Sequence, residues 1–218
     1  MSSSHHNWNL DEGFLDVNWV MPTGFFELPM EAESVEEITE QLIRLAQEVL
    51  PNGTPDMQYQ WAAMCGANYD AFVEGSVQYA GFVATEVDDK RCTATVHVSL
   101  MDLAEETRKD PIQATMAALK ALNIGEVREI SLPCGPAVSC IGSRRAALTG
   151  ALTPSGNDEP FWTSFIQVQI PLSNGTAAVF ELATPTQEGW DVFSSMFAGV
   201  VKSVRIFAPA EHAVEMST

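Results

Sequence analysis

Apolar residues recur along this chain first at helical spacing, then at strand spacing, and near its end at helical spacing again. Val35, Ile38, Leu42, Leu45 and Val49 follow one another at steps of three and four. That spacing sets all five on one face of a helix. Ser34 opens it, and Glu37 stands three residues on, as in a capping box. Pro51 and Asn52-Gly53 end it. Thr54-Pro55 starts a second helix, with threonine as cap and proline in the first turn. Met57, Trp61, Met64, Cys65, Asn68 and Phe72 share its inner face, and Gly75 closes it. Ahead of both helices, 18–22 and 25–29 are short apolar runs split by Thr23-Gly24, expected as a short hairpin or an extended lead-in.

The period then becomes two. Residues 77–87 are apolar on both sides and suit a central strand. After the turn Asp88-Asp89-Lys90, Cys92, Ala94, Val96, Val98 and Leu100 alternate with Arg91, Thr93, Thr95, His97 and Ser99. This pattern predicts a strand with one buried and one polar face, hairpin-paired to 77–87. Asp110-Pro111 starts a third helix carrying Ile112, Met116 and Leu119 inward, ending near Asn123 and Gly125. Strands follow at 127–132 and 137–147, with a turn over 133–136. Residues 153–160 form a polar loop. The runs 161–172 and 176–183 flank Ser173-Asn174-Gly175, a strong hairpin signal in which both Asn and Gly are expected at positive φ. Thr184-Pro185-Thr186-Gln187 reads as a second capping box, opening a helix that buries Trp190, Phe193, Phe197, Val200 and Val204.

These elements predict an α/β (α+β) fold: a mostly antiparallel sheet covered by helices with single apolar stripes. Residues 1–13 and 207–218 carry no sustained period and are expected as flexible tails. Residues 14–206 form one α/β domain. The 46% content of hydrophobic residues supports a sizeable core.

Charge changes this picture. There are 29 acidic residues against 11 basic ones, a formal net charge of −18. Such a surface repels phosphate backbones and anionic membranes, so nucleic acid is excluded as a partner and a basic protein favoured. Part of the acidity lies on the first helix, as Glu36, Glu37, Glu40 and Glu48. No segment has the apolar length to insert in a membrane, and no secretory signal is read at the start. The expected location is cytoplasmic. Cys65, Cys92, Cys134 and Cys140 are expected as reduced thiols. His5-His6 after three serines is slightly tag-like, but two histidines are too few to assign a tag.

Candidate chemistry is sparse. Cys134 and Cys140 lack the C-x-x-C spacing of a redox pair and the further close ligands of a zinc site. His97 has no acid or thiol at a defined spacing. Serines 139, 143, 164, 194 and 195 lack a nucleophile elbow. Asp88-Asp89 and Glu105-Glu106 lack the ligand order of a calcium loop. Arg144-Arg145 either clamps an anion or balances the acidic surface. No catalytic, cofactor-binding or metal-binding residue is assigned, and no cofactor is expected. Trp19 is expected to staple the N-terminal segment to the domain together with Phe14; Trp8 is either a staple or an exposed anchor for a partner.

Three stretches carry a resemblance. Val77-Gln78-Tyr79-Ala80-Gly81 through Arg91-Cys92-Thr93-Ala94-Thr95-Val96 resembles a hairpin of a set of uncharacterised actinobacterial proteins. So do Leu132-Pro133-x-Gly135-Pro136-Ala137 and Phe193-x-x-Met196-Phe197-x-x-Val200-x-x-Ser203-Val204. The last helix and the strands before it are similar to the PsbP-like fold, an α/β/α sandwich shared with the Mog family of Ran-binding proteins. The resemblance spans most of 17–206. It implies a non-enzymatic protein-binding, accessory or chaperone-like role, linked to a specialised secretion or assembly system, and it assigns no functional residue. Two alternatives stand beside it. One is a small-molecule-binding protein or unrecognised enzyme, which requires a deep pocket between sheet and helix, with His97 facing it beside a carboxylate. The other is a subunit of a homo-oligomer.

Overall fold

The strand-period segments pair largely as their sequence implies. A computed structural model of the chain describes residues 4–10, 15–30, 32, 34–67, 69–148, 150, 153 and 155–207. In chain order these are β1 (Ser4–Leu10), β2 (Leu15–Met21), β3 (Phe26–Glu27), α1 (Val35–Val49), α2 (Pro55–Gly66), α3 (Tyr69–Glu74), β4 (Val77–Val87) and β5 (Lys90–Asp102). There follow α4 (Pro111–Leu122), β6 (Gly125–Leu132), β7 (Gly135–Leu148), β8 (Glu159–Pro171), β9 (Thr176–Thr184), α5 (Trp190–Ser203) and β10 (Arg205–Phe207). Two antiparallel sheets result. The larger has the order β3-β4-β5-β9-β8-β7-β6, and the smaller β1-β2-β10. The mixed α+β class with a mostly antiparallel, helix-covered sheet is therefore the observed one.

The alternation along β5 decides the layers. Cys92, Ala94, Val96 and Val98 point to one face, joined there by Val168 and Ile170 of β8 and Phe180 and Leu182 of β9. Against this core face pack Phe193, Phe197 and Val200 of α5 and Val17, Trp19 and Met21 of β2. All are buried, each large side chain contributing about 1.5–3 kcal/mol. The opposite face carries His97. α4 covers its β6–β8 end through Leu119, Val138, Cys140 and Phe165. The α1–α2 hairpin covers its β3–β4 end with a separate cluster of Leu42, Ala46 and Ala62, with Trp61 and Leu28 alongside.

Several local expectations change. Residues 4–10 are strand β1, paired along its length with β2. In sequence only Trp8 and Leu10 alternate with polar residues there, too short a run to announce a strand. His6 is built into the fold: its imidazole stacks on Trp19 at 5.4 Å, meets Tyr79 edge-on at 4.7 Å and lies 3.1 Å from the Glu27 carboxylate. Trp19 is a core residue. Phe14, the side chain of Trp8 and residues 208–218 lie outside the described residues. The runs at 18–22 and 25–29 do not form a hairpin. β2 pairs with β1 and β10 while β3 pairs with β4, so Thr23-Gly24 carries the chain from one sheet to the other.

Turn chemistry differs too. Asp88 and Asp89 both adopt positive φ (50° and 60°) in a two-residue loop between Val87 and Lys90, the primed geometry that fits strand twist. At 172–175 only Gly175 is left-handed, at φ 88°. The Asn174 carboxamide oxygen instead accepts hydrogen bonds from the Thr176 amide (3.1 Å) and hydroxyl (2.7 Å). Ser34 and Thr54 cap α1 and α2 as expected. The second capping box does not form. Thr184 and Thr186 spend their hydroxyls on the Thr93 backbone, tying the β9 exit to β5, and a 3-10 turn at Gln187–Gly189 precedes α5.

Candidate functional site

α2 is apolar without being one-sided. Of its apolar residues only Ala62 is buried; Met57 is 51% exposed, and Trp61, Met64 and Cys65 are partly open. A helix whose apolar residues are scattered round it cannot close flat on a sheet. The α1–α2 hairpin accordingly stands off the His97 face and leaves a cavity of about 770 Å³. Leu28, Trp61, Met64, Phe72, Phe82 and Leu148 are among the side chains lining it. Trp61 leans on Phe82 at 5.0 Å, and Phe26 stacks on the same ring at 5.2 Å, closing the β3 side. Ala80, Ala84, Thr93, Thr95 and His97 form the sheet floor.

A buried polar network begins beside that floor, on the same face of the sheet. The register places Glu181 of β9 opposite His97 of β5 and opposite Gln167 of β8. Glu181 is 2% exposed, and a buried carboxylate must be paired. The Arg144 guanidinium donates to both its oxygens, with Nη1 3.2 Å from Oε2 and Nη2 on Oε1. Gln167 Nε2 donates to Oε2 at 3.0 Å, and Gln169 Nε2 donates to Gln167 Oε1 at 2.9 Å. His97 Nε2 lies 4.0 Å from Oε1, too far for a direct hydrogen bond. Arg144 also covers the Phe165 ring at 5.0 Å, a cation–π contact that fixes its fork.

Burial pushes the His97 imidazole below its ordinary value of 6.5; the Glu181 charge opposes the shift and Arg144 adds to it. His97 is therefore neutral at pH 7 and presents one donor and one acceptor. Burial pushes the Cys65 thiol on the cavity wall up to about 12, so it stays protonated and is a poor nucleophile. The cavity thus combines an apolar wall with neutral hydrogen-bonding groups, Thr93, Thr95 and His97, and His97 stands beside a compensated ion pair.

The His97 shift has a testable consequence. In the unfolded chain His97 takes its proton near 6.5; in the folded chain it does so only at lower pH. Between those values the unfolded state holds more protons, so this residue's contribution to stability falls as pH drops through 6.5. His97→Gln should therefore lose less stability than the parent between about pH 7 and about pH 5. Urea midpoints at both pH values measure this, and equal losses in the two chains would contradict it.

The structure separates the other sequence candidates. Arg144 and Arg145 alternate across the sheet: Arg144 binds Glu181, while Arg145 sits opposite Trp162. They form no anion clamp. Cys134 packs with the core-face cluster and Cys140 with the α4 cluster, and all four cysteines are free. Ser143 and Ser164 face each other at 3.4 Å across the β7–β8 pair. Ser139 Oγ donates to the Arg128 carbonyl and Ser194 Oγ to that of Asp191. Asp88-Asp89 is the hairpin turn, and Glu105-Glu106 starts an exposed 3-10 turn. Glu36, Glu37, Glu40 and Glu48 are exposed on α1. Among the described residues no cluster of three His, Cys, Asp or Glu is placed to hold a metal ion. No described helix is long and apolar enough to cross a membrane.

Glu181, Gln167 and Gln169 escaped the sequence reading. Their signal was present, since Glu181 is the lone charge in the apolar run of β9. A charge there demands a partner.

No family model matches this chain. No curated protein matches it either. Among solved structures it is similar to the crystal structure of LpqN, a protein of the actinobacterium Mycobacterium tuberculosis involved in cell envelope biogenesis, at 12% identity and a TM-score of 0.42, over 94% of this chain and 92% of that one.

Proposed function

We propose that this protein is a non-catalytic binding protein that holds an apolar small molecule between the α1–α2 hairpin and the sheet. One observation carries the reading: the cavity of about 770 Å³ has an aromatic and aliphatic wall, a floor whose polar groups are the Thr93 and Thr95 hydroxyls and the neutral His97, and its charged lining residues, Glu86 and Arg91, are solvent-exposed. Size and lining match those of ligand sites. The ligand is uncharged where it meets His97, because the Arg144 charge there is already spent on Glu181. Titration with a neutral, environment-sensitive apolar dye such as Nile red tests it. Saturable one-to-one binding supports the reading, and unsaturable or absent binding contradicts it.

A second reading is favoured by the four exposed glutamates on α1. It makes the protein an accessory factor that docks a basic partner on that helix, in keeping with the PsbP-like kinship and the cytoplasmic setting that the sequence suggests. Replacing Glu36, Glu40 and Glu48 by glutamine should leave dye affinity unchanged and abolish salt-sensitive binding of a Lys/Arg-rich helical peptide. Equal peptide binding by both chains would remove this reading.

A further inference from the structure

The large sheet ends on one side in the two-residue β3 and on the other in β6, an eight-residue strand whose outer edge bonds to no strand among the described residues. Free edges of that length template pairing with another chain. We infer that β6 pairs with β6 of a second copy, joining two seven-stranded sheets into one continuous antiparallel sheet.

Symmetry restricts the register. A two-fold axis that continues a sheet stands perpendicular to it, so facing residues come from the same face of each copy. Their numbers then sum to an even value. Pairing centred on Glu126, on Arg128 or on Glu129 sets like charges opposite each other. Pairing centred on Val127 sets Glu126 of each copy opposite Arg128 of the other, and Glu129 opposite Gly125. Pairing centred on Ile130 avoids like charges and makes no opposite-charge pair. The Val127 register is thus the one that turns the edge charges, which deter foreign strands, into two cross-strand ion pairs. Glu126 and Arg128 already lie side by side on one copy, both exposed, so neither is bound to the core.

Apolar surface flanks the same edge. Ile141, the β7 partner of Glu126, is 45% exposed, and Leu122 at the end of α4 is 61% exposed. Ile141 and Leu122 both lose solvent in the pair, one on each side of the sheet. This dimer is independent of the cavity, which lies at the β3–β5 end of the sheet.

Sedimentation velocity from about 10 µM to about 1 mM protein, at about 0.15 M salt, tests it. The parent should pass from monomer to dimer over that range. Arg128→Glu puts two like-charge pairs in the interface and should raise the dissociation constant at least about tenfold. The charge exchange Glu126→Arg with Arg128→Glu restores opposite charges and should return it to within about threefold of the parent. Both positions are exposed, and unchanged thermal unfolding of the variants at low concentration confirms folding. A monomeric parent throughout, a dimer indifferent to Arg128→Glu, or an exchange that fails to restore it overturns the inference.

Discussion

Arg144→Ala should destabilise the chain by about 3 kcal/mol. Glu181 is buried at the centre of the sheet, and Arg144 supplies the only positive charge bonded to it among the described residues. Removing the guanidinium leaves a buried carboxylate with the Gln167 amide as its remaining hydrogen-bond donor among these residues. The cost of an orphaned charge is about 3–5 kcal/mol, and the partial exposure of Arg144 sets it at the lower end, because water enters where the side chain is cut away. For a chain of this size that corresponds to a fall in melting temperature of about 6–12 °C. Replacing both residues by methionine removes the charge together with its partner. That variant should lie within about 2 kcal/mol of the parent, the residue being the lost acceptor for Gln167. Chemical unfolding of the three chains measures the contrast. A single variant that costs under about 1 kcal/mol would mean that Glu181 is not held as described.

The second large effect concerns the cavity. Ala84 lies on the β4 floor, exposed at the cavity, and Ala80 lies deeper on the same strand, opposite His97. Ala84→Trp should occupy the mouth, and Ala80→Phe the interior. Each should weaken binding of a neutral apolar dye at least about thirtyfold, or ~2 kcal/mol. Neither position belongs to the α5 core; Ala80 is buried, so its variant should unfold cooperatively with a stability lowered by about 1–3 kcal/mol, while Ala84→Trp should leave the transition unchanged. A conservative change outside the cavity, Asp191→Asn on α5, should leave the affinity unaltered.

Much of this architecture was legible because local chemistry and tertiary placement agree. The alternation of Cys92, Ala94, Val96 and Val98 reports the core face directly, and the stripe of Phe193, Phe197 and Val200 reports the helix that covers it. The β4–β5 hairpin was legible for the same reason. What was not legible depends on distant partners. β1 is a strand because β2 offers it a backbone edge and Trp19 offers His6 a ring, and neither fact is local. β10 is too short to show a period. Thr184 and Thr186 carry capping-box chemistry and use it on Thr93, a residue about ninety positions away. The candidate site shows the same division. His97 on a polar strand face was visible, whereas the carboxylate beside it comes from β9 and the guanidinium from β7, brought together only by the strand order β5-β9-β8-β7. Arg144-Arg145 read as a pair in sequence, yet strand alternation sends the two to opposite faces.

The most direct test is a set of intermolecular proton contacts from the bound dye, recorded by nuclear magnetic resonance on the full chain. Nuclear Overhauser contacts are expected from the dye to the Trp61 indole, the Phe82 ring, the Met64 methyl and the His97 ring, all of which line the cavity. Binding that shows contacts only to residues outside this set, or no saturable binding, would contradict it.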